Sequence, residues 1–254
     1  MFERLDYIKL EPRVILDMHC GLGSSSAVLS KRFPNALVVS LDPAIELLRK
    51  HAGAKKRFNW FSKLSARVCT EATALPLATK SVDLVWSNLF ALSYDAPAII
   101  RELKRVLKPG GLLMLSTLGP DTLKELRAAF SQADSLTHIQ PQVDMHDLGD
   151  ILAHEGFVTP VVDMEMVTFT YPDLKTIAHD LRAAGATNLE PVRRATLTSK
   201  THWATVEHAY ETMRNEGRLP VTFEIIYLHA WRGLERIAAD GRQIIQFDKW
   251  VAKK

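Results

Sequence analysis

Three acids and one amide stand at places along the first ninety residues where they could act on one ligand. Asp17 and Asp42 each end a short apolar run, Glu71 follows a third run, and Asn88 follows a fourth. Carboxylates in such positions can accept hydrogen bonds from ribose hydroxyls or from an adenine amino group. An acid after a strand can equally well cap the next helix, so it is the set of four that points to a nucleoside ligand.

A glycine-containing loop follows Asp17. It reads Met18-His19-Cys20-Gly21-Leu22-Gly23-Ser24, and its glycines let the backbone approach a ligand closely. Ser26 stands where the dinucleotide fingerprint has its third glycine, which disfavours a nicotinamide dehydrogenase. Pyrophosphate also prefers a free helix amino terminus. S-adenosylmethionine (SAM) has no phosphate and needs acids for its amino and hydroxyl groups, so the pattern predicts SAM as the cofactor.

Short apolar runs that alternate with helical patterns position these residues. The runs suit buried parallel strands and cover residues 14–18, 37–41, 66–70, 82–87 and 112–117. Amphipathic or capped segments between them predict helices at 24–32, 44–51 and 97–107. The sequence Lys108-Pro109-Gly110-Gly111 ends the last helix. This alternation predicts a doubly wound parallel sheet that binds its ligand at the carboxyl ends of the strands.

The pattern changes after residue 118. It predicts helices at 121–132, 145–155, 173–184 and 201–216, and β-rich segments at 157–171 and 221–231. As an antiparallel pair at the sheet edge, these segments bring the number of strands to seven. We therefore expect one α/β domain over residues 1–254, Rossmann-like, with helices on both faces of the sheet. Its cofactor-binding half is 13–118, and its substrate-side half, 119–254, carries a helical insertion and the antiparallel edge strands.

Composition and charge are those of an ordinary soluble protein that can bury a substantial core. The basic residues are scattered and the net charge is +3, so we expect no nucleic-acid partner. No apolar run approaches the roughly 20 residues that span a bilayer, and the first ten residues do not resemble a signal peptide. We therefore expect no membrane partner and a cytoplasmic location. The two cysteines, Cys20 and Cys69, do not belong to a metal-binding cluster, and we expect both to be free thiols. We also expect no metal ion at the scattered histidines His146, His154, His179 and His202.

These motifs resemble those of the class I SAM-dependent methyltransferases. Residues 17–23 are similar to their Asp-x-Gly-x-Gly-x-Gly loop, Asp42 to their ribose acid, and 108–111 to their Lys-Pro-Gly-Gly turn. The resemblance then narrows to the malonyl-[acyl-carrier protein] O-methyltransferase family of biotin synthesis. It rests on LDYIKLEP at 5–12, STLGPDTLKELR at 116–127, DMHDLGD at 144–150, YPD at 171–173 and HAW at 229–231. The likeness covers residues 4–231.

The resemblance implies methyl transfer from SAM to the free carboxylate of a malonyl group on acyl-carrier protein. A carboxylate is ionised at neutral pH, so the reaction needs alignment and desolvation rather than a general base, and we name no catalytic base. We expect the cofactor to lie against Asp17, His19, Gly21, Gly23, Asp42, Glu71, Ala72, Asn88 and Leu89. On the substrate side we name Lys124 and Arg127 for an acidic carrier protein, Arg182 for the malonyl carboxylate, and Tyr171 and His229 for the acyl pocket. A solvated helix face is the alternative role for the two α-helical cations at 124 and 127.

Two features depart from the family pattern. His19 stands where the family has its first loop glycine, and its ring either turns aside or fills the space used by the methionine part of SAM. The first strand begins near residue 13, whereas family members usually carry a preceding segment that folds over the cofactor. Two alternatives therefore stay open. One is a degenerate methyltransferase fold that serves as a binding or assembly subunit; the other is a protein-modifying relative that hydroxylates arginine.

Overall fold

A computed structural model describes residues 1–53, 66–90, 95–186, 188, 193 and 198–234 of the chain. The strands in these ranges are β1 (Val14–Met18), β2 (Leu37–Leu41), β3 (Ala66–Val68), β4 (Val82–Ser87), β5 (Leu107–Leu118), β6 (Phe157–Tyr171) and β7 (Leu219–Arg232). The helices are α1 (Phe2–Asp6), α2 (Ser24–Arg32), α3 (Ile45–Gly53), α4 (Ala96–Val106), α5 (Lys124–Ser131), α6 (Met145–His154), α7 (Leu174–Ala183) and α8 (Lys200–Glu211). Every helix within the described ranges is too short or too polar to cross a lipid bilayer.

The strands form one sheet in the order β3-β2-β1-β4-β5-β7-β6. The first five are parallel, whereas β7 is antiparallel to β5 and β6 is antiparallel to β7. The chain runs outward from β1 to β3 and then crosses back to β4, so the strand order reverses between β1 and β4. Ligands of open α/β sheets bind at such a switch point, beyond the carboxyl ends of the strands. The predicted seven-stranded Rossmann-like fold is confirmed.

Apolar side chains cover both faces of the sheet. On one face Leu103 of α4 and Leu152 of α6 pack in one cluster with Leu16 of β1. On the other face Leu29 of α2 packs with Trp86 of β4. A third cluster joins α5, α7 and α8 to the beginning of β7 and so forms a separate hydrophobic core in residues 119–234. This two-sided burial is what a parallel sheet between helical layers requires.

Two helices are shorter than their sequence patterns predict. Helix α5 begins at Lys124 rather than at residue 121, because the preceding loop is tied to β7: Gly119 N–H donates to the Glu224 carbonyl at 2.9 Å and Asp121 N–H to its carboxylate at 2.7 Å. Helix α8 ends at Glu211 rather than at 216, since the chain reverses in a tight turn before β7. The other predicted elements differ from the structure by a few residues at their ends, and β3 stops at Val68.

Helix α1 precedes β1 and packs on the same face of the sheet as α2. Leu5 is fully buried there, and the ring of Phe2 stacks on Trp86 with centroids 4.3 Å apart. The first strand is anchored beside it, because Asp83 accepts hydrogen bonds from the Val14 N–H at 2.8 Å and from Lys108 Nζ at 2.7 Å. The segment before β1 therefore contributes to the hydrophobic core.

Candidate functional site

The carboxyl ends of four parallel strands lie level with one another. Met18 of β1 is paired with Leu41 of β2 on one side and with Ser87 of β4 on the other. Leu41 is in turn paired with Val68 of β3. The residues that immediately follow these strands therefore emerge at a single edge of the sheet, at the switch point. They are His19, Asp42, Cys69 and Asn88.

The carboxylate of Asp42 organises the glycine loop. It is only 4% exposed, and its Oδ2 accepts a hydrogen bond from the Gly21 N–H at 2.9 Å. Its Oδ1 accepts from the Ala44 N–H at 2.8 Å. Each carboxylate oxygen can accept more than one hydrogen bond, so the group retains capacity for ligand hydroxyls. Asp42 thus fixes the loop and at the same time lies beside the space above it.

The structure explains the presence of glycine differently at the two positions of the loop, Gly21 and Gly23. Both have positive φ, 54° at Gly21 and 80° at Gly23, a region that favours glycine. Helix α3 approaches Gly23 so closely that a Cβ there would overlap the ring of His51, and the position therefore requires glycine. A Cβ at Gly21 would meet no atom within 4 Å. The open space of the loop is therefore at Gly21, next to the Asp42 carboxylate.

Asp17 lies beneath the loop. Its side chain is 1% exposed and accepts a short hydrogen bond from the hydroxyl of Ser26, which is 2.8 Å from the hydroxyl of Ser40. Burial raises the pKa of Asp17 to about 6, with a smaller contribution from the charge of Asp42, although the hydrogen bonds from Ser26 lower it. The structure therefore places Asp17 in a buried polar cluster that connects β1 to α2.

His19 adopts a positive φ of 53°, and its ring lies against Phe90, with centroids 4.2 Å apart. Its Nδ1 is buried and has no hydrogen-bond partner among the described residues. Burial lowers the pKa of His19, although the charges of Asp42 and Glu71 act in the opposite direction, so the ring is neutral at neutral pH. The ring has turned towards the chain that follows β4, where it packs on Phe90, and its Nδ1 is buried close to the switch point without a hydrogen bond.

Ser116 of β5 holds the residues that follow β4. Its hydroxyl accepts from the Leu89 N–H at 2.8 Å and therefore donates its own proton to Asn88 Oδ1, also at 2.8 Å. Its carbonyl accepts from the Phe90 N–H at 2.8 Å. Leu89, with a φ of 55°, is half exposed, and the Asn88 amide nitrogen points away from this interaction. The sequence did not single out Ser116, although it too is a polar residue near the carboxyl end of a central strand.

Glu71 and Ala72 follow β3 at the same edge. Ala72 is 4% exposed and belongs to the cluster under α4, whereas Glu71 is exposed. The charge of Glu71 acts to raise the pKa of His19, against the larger effect of burial. The structure thus brings most of the predicted cofactor residues to one edge, while Asp17 lies under the loop.

These groups fit an adenosyl ligand. The space at Gly21 is open, a buried carboxylate with spare acceptor capacity adjoins it, and His19 Nδ1 is a buried polar atom for which a ligand can provide a partner. The acids offered suit hydroxyl and amino groups rather than phosphate.

The predicted substrate residues do not form one cluster. Lys124 and Arg127 are exposed on α5, and Arg127 lines a cavity of about 420 Å³. Tyr171 is partly buried against the cluster of α5, α7 and α8, and Arg182 is exposed on α7. His229 pairs with Met114 in the middle of the sheet and lines a separate cavity under α1, whose walls contain none of the strand-end residues.

Two buried acids position the substrate-side helix, and sequence reasoning missed both. The carboxylate of Glu224 fills the space beside Gly119, where a Cβ would overlap it, and so fixes the loop after β5. Glu125 of α5 accepts from the N–H of Thr222 at 3.1 Å and from its hydroxyl. Glu125 connects α5 to β7, and Glu224 connects the loop before α5 to the same strand. The sequence signal for Glu224 is a glutamate within the apolar run of β7.

The buried Asp17 predicts a specific pH dependence of stability. Because its folded pKa of about 6 exceeds the ordinary value of 3.8, the folded protein binds a proton that the unfolded chain does not bind between these pH values. Its contribution to stability therefore decreases as pH rises from 4 to 6. We expect Asp17→Asn to gain up to about 3 kcal/mol relative to the parent between pH 4 and pH 7 in urea unfolding. Asp150→Asn, at an exposed position of α6, is the control; a pH-independent difference for Asp17→Asn would contradict the assignment.

Comparison with known proteins identifies the family of the chain. A methyltransferase domain family matches residues 16–115. The malonyl-[acyl-carrier protein] O-methyltransferase of Gallionella capsiferriformans is 47% identical, covering 97% of this chain and 86% of the relative. The protein of the same name from Methylovorus sp. is 45% identical, covering 97% and 85%.

Solved structures share the fold at low identity. Haemonchus contortus phosphoethanolamine N-methyltransferase 2 in complex with SAM has a TM-score of 0.55 and 14% identity, covering 91% of this chain and 51% of that one. Geranyl diphosphate C-methyltransferase from Streptomyces coelicolor has a TM-score of 0.51 and 16% identity, covering 87% and 73%. At such identities the likeness shows the fold alone, whereas the curated relatives match nearly the whole chain. The chain belongs to the malonyl-[acyl-carrier protein] O-methyltransferase family of SAM-dependent methyltransferases.

Proposed function

We propose that this protein transfers the methyl group of SAM to the free carboxylate of malonyl-acyl-carrier protein, in the cytoplasm, as a step of biotin precursor synthesis. The observation that carries the proposal is the 47% identity to a relative of that name over 97% of the chain, which includes the substrate-side half. Esterification removes the negative charge of the malonyl group. Residues 1–254 act in this proposal as one catalytic unit, with the cofactor in the half 13–118 and the substrate in 119–254.

The strand-end residues suit the parts of the cofactor. Asp42 is the ligand for the ribose hydroxyls, because its carboxylate adjoins the open space at Gly21. Glu71 and Ala72 lie on the adenine side, and the loop of Gly21 and Gly23 faces the methionine part together with His19 Nδ1. SAM, when bound, supplies an electrophilic methyl group on a sulfonium.

The acceptor carboxylate requires positioning rather than deprotonation. Ser116 donates to Asn88 Oδ1, so the Asn88 amide N–H groups are the part of that side chain available to an acceptor carboxylate. The neutral ring of His19 and the half-exposed Leu89 border this position and reduce its hydration. Alignment and partial removal of water are the contributions that a nucleophile already ionised needs from the protein.

The carrier protein is expected to approach along α5. Lys124 and Arg127 are exposed three residues apart on this helix, so their side chains can meet acidic groups together. Arg127 Nη2 donates to the Thr122 carbonyl at 3.2 Å, which orients the side chain beside the loop after β5. That loop begins at Gly119, three residues beyond Ser116 of β5. Because Ser116 holds Asn88, the loop connects the proposed docking face to the reaction centre.

Methyl transfer tests the proposal directly. With SAM and malonyl-acyl-carrier protein, we expect a product heavier by one methylene, measured by intact mass spectrometry. Asp42→Asn should weaken binding of S-adenosylhomocysteine by roughly 10- to 100-fold, because hydrogen bonds to a charged group are lost. Asp147→Asn, on α6 and exposed, is the matched control and should bind as the parent does. No mass change and no rise in melting temperature at millimolar S-adenosylhomocysteine would refute the proposal, and a gain of one oxygen would identify a hydroxylase instead.

The position of His19 motivates the alternative of a binding or assembly subunit. Since the ring packs on Phe90 and offers Nδ1 to the ligand, we expect the parent chain and His19→Gly to bind S-adenosylhomocysteine with affinities within about tenfold of one another, or 1.4 kcal/mol. Isothermal titration calorimetry on both proteins measures this. Binding by the glycine variant alone would show that the imidazole blocks the site and would favour the non-enzymatic role.

A further inference from the structure

Three potential metal ligands meet in the substrate-side half, away from the strand ends. Asp134 lies in the chain just after α5, His138 follows four residues later, and His202 lies in the first turn of α8. The distance from Asp134 Oδ1 to His138 Nε2 is 2.8 Å, and that from Asp134 Oδ2 to His202 Nε2 is 3.4 Å. One ligand atom from each side chain lies within 4.8 Å of the others. Two imidazole nitrogens therefore flank one carboxylate.

The cluster is held in a largely dehydrated place. The side chains of Asp134 and His138 are 16% and 15% exposed, and that of His202 is 8% exposed. His202 Nε2 is buried without a hydrogen-bond partner among the described residues. The ring of Phe130 stacks on His138 with centroids 3.9 Å apart, which fixes the orientation of that imidazole. The 3.4 Å contact of His202 Nε2 with Asp134 Oδ2 is not directed well enough for a hydrogen bond, so a bound ion would give this buried nitrogen a better-placed partner.

The donor set and its spacing match a zinc-type ion. Neutral imidazole and carboxylate are zinc ligands, and donors about 2.0 to 2.1 Å from a tetrahedral ion lie about 3.3 Å from one another. The separations of 2.8 and 3.4 Å, measured to Oδ1 and Oδ2 of Asp134 respectively, lie on either side of that value. All three ligand atoms lie within 4.8 Å of one another, so side-chain rotations would have to shorten the longest separation when the ion binds. Asp134 and His138 also line the cavity of about 420 Å³ that contains Arg127, from which water can complete the coordination.

We propose that Asp134, His138 and His202 form a binding site for one divalent transition-metal ion of the zinc type. The ion connects the first turn of α8 to the chain that follows α5 and thereby stabilises the wall of the cavity next to Arg127. The site is separate from the cofactor position and does not depend on methyl transfer. The sequence did not reveal it, because the three ligands come from segments far apart in the chain.

Cobalt titration of the untagged full-length chain tests the site. After treatment with a chelator, the parent should develop visible d–d absorption with Co²⁺ that saturates at one ion per chain and disappears on addition of Zn²⁺. Zn²⁺ should also raise the melting temperature of the parent. His202→Gln and Asp134→Asn should each weaken Co²⁺ binding by at least about tenfold. Loss of a residue that only hydrogen-bonds to a metal ligand already weakens binding by about that factor, so loss of a ligand itself should cost at least as much. His146→Gln, at an exposed position of α6, should titrate as the parent does.

The titration of the parent decides the matter even where a ligand variant fails to fold. Absence of visible absorption with the parent would overturn the proposal and leave a hydrogen-bonded Asp-His-His cluster. Equal Co²⁺ affinity of folded ligand variants and parent would also overturn it, because other surface groups would then be the ligands. Intense near-ultraviolet charge-transfer absorption would indicate thiolate ligation by Cys20 or Cys69 and would equally contradict the assignment.

Discussion

The rest of the candidate cofactor site depends on one interaction: the buried carboxylate of Asp42 accepts hydrogen bonds from two backbone N–H groups. One comes from Gly21 in the loop after β1 and the other from Ala44 before α3. These hydrogen bonds fix the loop after β1 to the carboxyl end of β2 and leave open space at Gly21. If the carboxylate were lost, the loop would lose the partner of its Gly21 N–H. In the function proposed above, SAM would also lose the acceptor of its ribose hydroxyls, so that loop structure and cofactor binding would be coupled through one side chain.

The sheet and the switch point followed from the sequence, because short apolar runs and glycine turns are local signals. Asp42, Asn88 and the loop glycines were placed at the right edge for this reason. The sequence could not show that Asp17 turns under the loop towards Ser26, since this depends on the register of β1 against β2. Nor could it show that Ser116 holds the Asn88 amide, because that contact joins two strands 28 residues apart.

The substrate-side half was less predictable, because its contacts are long-range. The early start of α5 expected from its periodicity was wrong, since Glu224, more than a hundred residues away, binds the loop that precedes the helix. The five substrate residues were chosen by type, and the structure distributes them over several surfaces. His229 illustrates the difficulty: a residue in a strand faces one of two sides, and the alternation alone did not show that this side lies under α1. The roles of the five substrate residues belong to the proposed function.

Buried polar groups form the common element of both halves. Asp17 with Ser26, Glu125 with Thr222 and Glu224 with the loop after β5 each connect two elements that hydrophobic packing alone would leave free to slide. Such groups are stabilising only when all are paired, and they then specify one arrangement. This arrangement places the carboxyl ends of the central strands next to the loop that leads to α5.

The crystal structure of the protein with S-adenosylhomocysteine is the most direct measurement of whether the strand ends form a cofactor site. We predict that both ribose hydroxyls lie at about 2.5 to 3.2 Å from the Asp42 carboxylate, with the hydrogen bond from Gly21 retained. We also predict that the ligand makes contact with His19 Nδ1. A ligand bound elsewhere, or an Asp42 carboxylate that touches only protein atoms in the complex, would contradict this view of the molecule.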